Sequence, residues 1–260
     1  MRIVLTVSYK GTNYQGWARQ PGLVTVQGVL EEAITKVANA PTQVFCAGRT
    51  DKGVHALSQV AHFDTESKRD KYEWLRGINS NLPADVRLNW LDFVGNDDFH
   101  ARFSATSRTY HYYISTKKVS SAIFAEHMLW VPHNLNISAM QAAATYLLGE
   151  HDFSSFRSRK CQAASPIKKI SKLDVVELKP DLFVVVISAN SFLYNMVRNI
   201  VGLLLKIARG DAAPIWAQEV LSSCTKGHNF TKVRAEGLYF MGATYPRSFK
   251  IECCDENYLF

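Results

Sequence analysis

The sequence has few cysteines and none of the spacings that cysteine or zinc chemistry uses. Its five cysteines, in a chain of 260 residues, are scattered and include no C-x-x-C pair. Its eight histidines form no H-E-x-x-H motif and no other paired ligand spacing. We therefore expect reduced thiols and no metal site.

Long apolar runs are also missing. The run from Ile200 to Leu205 is far shorter than a membrane span and follows directly on Arg198 and Asn199. The N-terminal stretch MRIVLTVSY is too short for a secretory signal and runs into a polar turn. These features predict a cytoplasmic protein that makes no membrane contact.

Two nucleotide or acyl-transfer motifs occur only in part. Gly11 to Gly16 has the glycine spacing of a phosphate-binding loop, but Trp17-Ala18 stands where Lys-Ser/Thr is required. Ser-x-x-Lys at 115–118 and at 165–168 lacks the other motifs of a serine acyl-enzyme. Neither a triphosphate site nor an acyl-enzyme is predicted.

Positive charge is in excess. Thirty Lys and Arg against 23 Asp and Glu give a net charge of +7. Such a surplus favours polyanionic partners, and nucleic acid is the commonest of them. By charge alone, a merely basic protein without such a partner is an equal alternative.

Hydrophobic patterns of both periods alternate along the chain. Strands are predicted at 2–9, 42–46, 58–64, 86–94, 108–115, 172–178, 183–189 and 238–245, and helices at about 26–37, 71–78, 138–148, 192–208 and 214–221. The order predicts an α+β fold, with sheets covered by helices. Two similar halves meet in the polar segment 104–107, so we predict domains at 1–105 and 106–246 and a tail at 247–260.

One loop concentrates charged residues between two glycines. In CAGRTDKGVHA, at 46–56, Arg49 and Asp51 flank Thr50, so in an extended chain both side chains project to the same side. An aspartate between glycines is commonly a turn residue that binds nearby backbone N–H groups. Held beside a cation, it is instead an ionised carboxylate available as a nucleophile at neutral pH.

Two further segments carry unusual residues. Arg198 lies in an otherwise apolar helical pattern, and a buried cation is costly unless it is paired. It either reaches the surface, pairs with a structural carboxylate, or pairs with a site aspartate. The strand RTYHYY, at 108–113, mixes cations and rings. Its aromatic residues are either core residues, as we expect for Tyr112, or stacking surfaces for unstacked bases.

The combined motifs resemble the tRNA pseudouridine synthase A family. The matching blocks are KGTNYQGWARQ (10–20), VFCAGRTDKGVHA (44–56), NLPADVR (81–87), DDFHARFSATSRTYHYYI (97–114), HDFSSFR (151–157), NSFLYNMVRNIVG (190–202) and AEGLYFMGATYP (235–246). Only GRTDxGVHA is specific by itself. Seven blocks in one order make a chance match very improbable.

The resemblance implies an enzyme that isomerises uridine to pseudouridine at positions 38, 39 and 40 of the tRNA anticodon stem-loop. It implies no cofactor, a homodimer that grips tRNA, and the pseudouridine synthase fold of two mainly antiparallel sheets with helices on one face and a cleft between the domains. Asp51 matches the catalytic nucleophile, and Arg198 matches its paired arginine. Tyr110 matches the tyrosine that packs on the target base, and Arg49 the arginine that holds the flipped nucleotide.

Two other functions remain open from the residues alone. A non-catalytic RNA-binding module would have the same basic charge and aromatic strand. A hydrolase could use Asp51 with His55, four residues later, although His55 is more simply a structural residue.

Overall fold

The computed structural model describes residues 1–95, 99–159, 161–251 and 258–260. These residues form two compact units. Unit 1 comprises Met1–Arg108 and Tyr239–Leu259, and unit 2 comprises Thr109–Leu238 together with Phe260. The domains at 1–105 and 106–246 and the tail at 247–260 stay a prediction, and part of that tail lies outside the described residues.

The strands pair mainly antiparallel and are accompanied by helices, so the predicted α+β fold class is confirmed. The strands are β1 (Arg2–Tyr9), β2 (Phe45–Cys46), β3 (His55–Asp64), β4 (Val86–Val94), β5 (Ser107–Ser115), β6 (Leu129–Trp130), β7 (Gly149–Asp152), β8 (Ile167–Lys179), β9 (Leu182–Ala189) and β10 (Leu238–Thr244). The α-helices are α1 (Val26–Ala38), α2 (Lys71–Asn81), α3 (Ile137–Thr145), α4 (Met196–Ala208) and α5 (Trp216–Ser223).

The sheet of unit 1 has the strand order β4-β1-β3-β10. β1 pairs antiparallel with both β3 and β4, and β2 pairs antiparallel with β3. β10 is the exception, since it runs parallel to β3. Ile3, Val4 and Leu5 of β1 are fully buried, so the apolar run of the first strand forms the centre of this unit's core.

Local sequence explains where the helices of unit 1 begin. The Thr25 hydroxyl accepts a hydrogen bond from the Gly28 N–H and caps α1. At α2, Asp70 and Glu73 each bond the other's backbone N–H, which is the reciprocal capping box. Both predicted helices are confirmed, and α2 extends to Asn81, beyond its predicted end.

The sheet of unit 2 has the order β5-β9-β8-β7, with β6 beside β5. β8 pairs antiparallel with β7 and β9, and β6 runs parallel to β5. The predicted hairpin of β8 and β9 is confirmed. Asp181, in its turn, takes a φ of 64°, a left-handed conformation that aspartate tolerates.

Some element boundaries differ from the prediction. The strand predicted at 42–46 is reduced to β2, and the one predicted from Ser58 begins at His55. The helix predicted from Phe192 begins at Met196, because Asn195 takes a left-handed φ of 63° that a helix cannot include. That irregular backbone places Asn195 and Arg198 at the helix start.

The thiols in the described part of the chain are free, as the scattered cysteines predict. They belong to Cys46, Cys161 and Cys224. Cys253 and Cys254 lie outside the described residues, as do Asp97 and Asp98 at the start of the DDFHARF block. No helix within the described ranges has the length and apolarity needed to cross a membrane.

Candidate active site

Asp51 lies in the connection between β2 and β3, in residues 48–54, which we call the Asp51 loop. The loop ends in a turn in which the Val54 N–H donates to the Asp51 carbonyl at 3.1 Å. Gly53 takes a φ of +80° in this turn, a conformation that favours glycine. The glycine therefore allows the chain to reverse directly after Asp51 and to enter β3.

Burial alternates along the loop. Arg49 is exposed, Thr50 is buried and Asp51 is half-buried. The Thr50 hydroxyl is 2.7 Å from the hydroxyl of Tyr9, which anchors Thr50 inside unit 1. This alternation is the pattern that an extended segment gives, and it orients Arg49 and Asp51 away from the anchored side.

Two glycines of the segment after β1 lie against the backbone of this loop. A Cβ on Gly16 would be 2.8 Å from the Thr50 carbonyl oxygen, and Gly16 also has a φ of +93°. A Cβ on Gly11 would be 2.0 Å from the carbonyl oxygen of Val54. Sequence reasoning treated these glycines as an incomplete phosphate loop and missed that they make room for the Asp51 loop.

Hydrogen bonds fix the start and middle of the loop. The Gln59 side chain donates to the Gly48 carbonyl at 2.6 Å and accepts from the Gly48 N–H at 3.4 Å. The Trp17 N–H donates to the Thr50 carbonyl at 3.0 Å. The loop that carries Asp51 is therefore preorganised, which is what a positioned carboxylate needs.

His55 has a structural position. It is buried, its Nδ1 accepts a hydrogen bond from the Gly11 N–H at 3.1 Å, and its ring stacks on Tyr239 with centroids 4.6 Å apart. A nitrogen that accepts from the backbone is not available as a base at that atom. These contacts favour the interpretation of His55 as a residue that supports the loop.

Tyr110 lies on β5 in unit 2. Its side chain is largely buried and its ring meets Phe192 edge to face, with centroids 5.1 Å apart. Tyr112, two residues later, is fully buried and its hydroxyl donates to the Arg234 carbonyl at 2.7 Å. The interpretation of Tyr112 as a core residue is confirmed.

Arg198 lies in the first turn of α4 and is half-buried. Its Nε donates to the Val233 carbonyl at 2.8 Å, and its Nη1 donates to the Asn195 side chain at 3.2 Å. In return, the Val233 N–H donates to the Arg198 carbonyl at 3.3 Å. Residues 195 and 233 thus hold the guanidinium from two sides.

The charge of Arg198 also acts on two neighbouring groups of unit 2. Burial raises the pKa of Tyr112 well above its usual value, and the Arg198 charge opposes that rise. Burial also raises the pKa of Glu236, but a hydrogen bond from Arg234 and the charges of Arg234 and Arg198 outweigh it and lower that pKa. Glu236 is therefore an ionised carboxylate within the electrostatic reach of Arg198.

The structure thus places Arg49 and Asp51 in one loop of unit 1, and Tyr110 and Arg198 in unit 2. Over the described ranges, no three His, Cys, Asp or Glu side chains come together in a group that could hold a metal ion. The chemical groups that this arrangement offers are a carboxylate, guanidinium groups and aromatic rings.

Comparison with known proteins finds one family and many relatives. A family model described as tRNA pseudouridine synthase matches residues 5–104 and 143–246. A protein named tRNA pseudouridine synthase A from Coxiella burnetii (strain Dugway 5J108-111) is 44% identical over 250 residues, which cover 96% of this chain and 95% of that protein.

Two more relatives carry the same name. The one from Colwellia psychrerythraea is 45% identical over 251 residues, covering 96% of each chain. The one from Vibrio parahaemolyticus is 43% identical over 260 residues, covering 100% of this chain and 98% of the relative. The similarity therefore extends over both units and includes the Asp51 loop and α4.

Proposed function

The chain belongs to the tRNA pseudouridine synthase family and is an isomerase that converts uridine to pseudouridine in tRNA; from this premise we propose that its targets are uridines 38, 39 and 40 of the anticodon stem-loop. The positions are those that the family resemblance implies, and the observation that carries the chemistry is the Asp51 loop. It presents a half-buried carboxylate beside an exposed arginine on a backbone fixed at several points.

Asp51 is the nucleophile in this proposal. The reaction breaks the bond between uracil N1 and the ribose, turns the base and rejoins it through C5. The proton lost from C5 is balanced by the proton gained at N1, so the product has the mass of the substrate. The carboxylate either attacks the nucleotide covalently or assists cleavage of the glycosidic bond.

The remaining site residues have binding and electrostatic roles. The target nucleotide must leave the base stack, which costs a few kcal/mol. Stacking on Tyr110 offsets part of this cost, at about 1 to 3 kcal/mol per base, and Arg49 holds the displaced nucleotide. Arg198 pairs with Asp51 and favours its charged form where water is excluded, and Tyr110 is also the candidate proton relay.

The decisive experiment replaces Asp51 by Asn, which keeps the size of the side chain and removes its charge. Anticodon stem-loop RNAs with uridine only at position 38, 39 or 40 are incubated with each protein, and pseudouridine is measured by nucleoside chromatography. We expect product at each position from the unmodified protein and a loss of about 10³-fold or more from Asp51→Asn. Affinity for the RNA should change little.

Asp92→Asn is the matched control, because Asp92 lies in the same unit, outside the loop, in a surface ion pair with Lys71. It should retain full activity. Unchanged pseudouridine with Asp51→Asn would contradict the role of Asp51 and favour a non-catalytic RNA-binding module. Free uracil in the reaction would instead indicate glycosidic hydrolysis.

The pairing of Arg198 with Asp51 has its own test. If the two groups act as one unit, Arg198→Ala and Asp51→Asn together should lose no more activity than Asp51→Asn alone. A full additional loss in the double variant would mean that Arg198 acts independently. Arg198→Lys, which keeps the charge and loses the planar fork, separates charge from geometry.

We propose in addition that the enzyme is a cytoplasmic homodimer, which the family resemblance supports. Light scattering of the purified protein should give twice the mass of one chain, and a single-chain mass at working concentration would contradict it. Cell fractionation tests the location: the enzyme should be recovered with the cytoplasmic fraction.

A further inference from the structure

Unit 1 carries a cluster of aromatic rings outside the residues assigned so far. Phe45 of β2 stacks on His62 of β3, with centroids 5.2 Å apart, and lies 5.6 Å from His100. The His100 ring meets the His62 ring edge to face, with centroids 4.7 Å apart. It meets the Phe103 ring at a tilt, with centroids 4.4 Å apart. We call Phe45, His100 and Phe103 the aromatic platform; His62 lies buried beneath it.

The platform is exposed. Phe103 is 75% exposed and Phe45 is 39% exposed. A single exposed apolar side chain is ordinary on a protein surface. Exposed rings that contact one another through a histidine form a continuous aromatic surface, and such surfaces characterise binding sites for bases.

The His100 ring is held in place by the backbone of its own turn. His100 Nδ1 accepts from the Arg102 and Phe103 N–H groups at 3.1 and 3.4 Å. The His100 N–H donates to the Ser104 hydroxyl at 3.0 Å, and the Ser104 N–H donates to the His100 carbonyl at 2.9 Å. The His100 ring, against which Phe103 packs, therefore loses little conformational freedom when a ligand binds the platform.

Positive charge lies next to the rings. The Arg102 guanidinium carbon is 5.5 Å from the centre of the Phe103 ring. Burial raises the pKa of the Cys46 thiol to about 12 against the opposing charges of Arg49 and Arg102. The arginine of the platform and the arginine of the Asp51 loop therefore both lie within electrostatic reach of this one thiol.

Arg108 links the Asp51 loop to the turn that bears Phe103, two segments that are far apart in the sequence. Its guanidinium donates to the carbonyl of Ala47, which directly precedes the Asp51 loop, at 3.2 Å. It also donates to the carbonyls of Arg102 and, at 3.1 Å, of Ala105. The turn that bears Phe103 is therefore fixed to the entrance of the loop that bears Asp51, within one unit.

We propose that the aromatic platform binds an unpaired base of the RNA that flanks the target uridine, with Phe103 stacking on the base and Arg102 neutralising its phosphate. The proposal rests on the proposed function, which brings RNA to the Asp51 loop. Aromatic faces accept any base, and an adjacent guanidinium matches the charge of the backbone. The platform thus contributes to RNA affinity and holds the strand while the target nucleotide is out of the stack.

The test compares variants of Phe103 in the full-length protein by fluorescence anisotropy with an anticodon stem-loop RNA. Phe103→Ala and Phe103→Leu should each weaken affinity by about fivefold or more, as expected for the loss of one stacked base. Phe103→Trp should remain within about twofold of the original protein, because it keeps the aromatic face. KM for the RNA should rise with the loss of affinity in Phe103→Ala and Phe103→Leu and stay within about twofold of the original value in Phe103→Trp.

Tyr72→Ala is the matched control. Tyr72 is also an exposed aromatic residue of unit 1, 65% exposed, and Arg76 lies over its ring at 5.9 Å. It belongs to α2, outside the platform, so its replacement should leave RNA affinity unchanged. Because the Phe103 side chain is largely exposed, its variants should have the Tm of the original protein. A lowered Tm would show that the substitution destabilises the fold.

Abasic RNAs identify the stacked base. Removing one loop base should weaken binding to the original protein as much as Phe103→Ala does, and the two changes together should add nothing. Equal affinities of Phe103→Ala, Phe103→Leu and the original protein for intact RNA would contradict the proposal that the aromatic platform binds a base. That result would leave the role of Asp51 intact, because Asp51→Asn is judged by product and the platform by binding.

Discussion

At the scale of the residue, His62 shows how burial sets a protonation state. It is 1% exposed, and its Nδ1 accepts a hydrogen bond from the Ala101 N–H at 3.2 Å. Burial, followed by the positive charges of His100 and Arg2, lowers its pKa to about 4, although Asp64 acts in the opposite direction. The neutral ring supports the aromatic platform because only an unprotonated Nδ1 can accept that bond.

The free energy of unfolding should therefore depend on pH through His62. The unfolded chain binds the proton near pH 6.5 and the folded protein only near pH 4, so stability falls as the pH decreases between these values. At about 1.4 kcal/mol per pKa unit, the loss is about 3 kcal/mol. Urea unfolding from pH 7.5 to pH 4 measures it.

His62→Gln is the comparison for this prediction. It removes the titrating ring, so its stability should vary less over the same pH range, whatever its stability at pH 7.5. Parallel pH profiles for the two proteins would show that His62 does not carry the effect. A hydrogen bond from Arg2 lowers the pKa of Asp64. Protonation of this carboxylate therefore reduces the free energy of unfolding only at more acid pH, and this effect is common to both proteins.

At the scale of the element, α4 shows how a glycine allows another segment of the chain to pack closely against a helix. Residues 231–233 run so close to the helix that a Cβ on Gly202 would be 2.1 Å from the Thr231 carbonyl oxygen. One turn earlier, Arg198 and Val233 exchange their two hydrogen bonds. The close approach that Gly202 permits therefore also positions the guanidinium of Arg198.

Gly202→Ala should destabilise the protein, contrary to helix propensity. In a helix, alanine is favoured over glycine by about 1 kcal/mol. A methyl group 2.1 Å from a backbone oxygen forces the segment to move, and overpacking of this kind costs about 1 to 3 kcal/mol or more. We expect a lower Tm and, since Arg198 loses its support, a lower kcat at saturating tRNA.

Gly77→Ala in α2 is its control. It brings the same gain in propensity, but its Cβ meets only the Val37 methyl groups, at 3.1 and 3.2 Å, and that side chain can rotate. We expect a neutral or raised Tm and unchanged kcat. If Gly202→Ala also raised the Tm, the close crossing over α4 would be refuted.

At the scale of the whole molecule, the C-terminal segment Tyr239–Leu259 belongs to unit 1. β10 pairs parallel with β3, and the Thr106 N–H donates to the Thr244 carbonyl at 2.8 Å. The Tyr245 hydroxyl donates to the Ala101 carbonyl at 2.6 Å, and Phe99 packs on Tyr245 with centroids 5.2 Å apart. Two segments far apart in the sequence, Met1–Arg108 and Tyr239–Leu259, thus form one compact unit.

Unit 1 should therefore need both of its segments to fold. A fragment of residues 1–108 lacks β10 and leaves β3 and Phe99 uncovered, so we expect no cooperative unfolding transition. The same fragment joined by a flexible linker to residues 239–260 should regain one, measured by circular dichroism in urea. A sharp transition in the 1–108 fragment alone would disprove this, and a linked fragment with a scrambled 239–260 segment is the control.

Much of the secondary structure could be predicted because its signals are local. β1 and β4 have the predicted bounds, and Thr25 begins α1 as a cap. The start of α4 was predicted too early because the left-handed φ of Asn195 is not visible in an apolar pattern. In the candidate site, the sequence identified the charged loop, but Gly11 and Gly16 gave no signal of their own that they lie beneath it.

The sequence by itself determined most of the elements, the alternating orientation of Arg49 and Asp51, and the family, because these depend on periodicity, turn residues and ordered motifs along the chain. Only the tertiary structure decided that β10 joins β3, that Gly11 and Gly16 make room for the Asp51 loop, and that Phe45 and Phe103 belong to one platform. The physical reason is that such contacts join residues far apart in the chain. Packing and hydrogen bonding in the folded core select these partners, and no local pattern of residues specifies them.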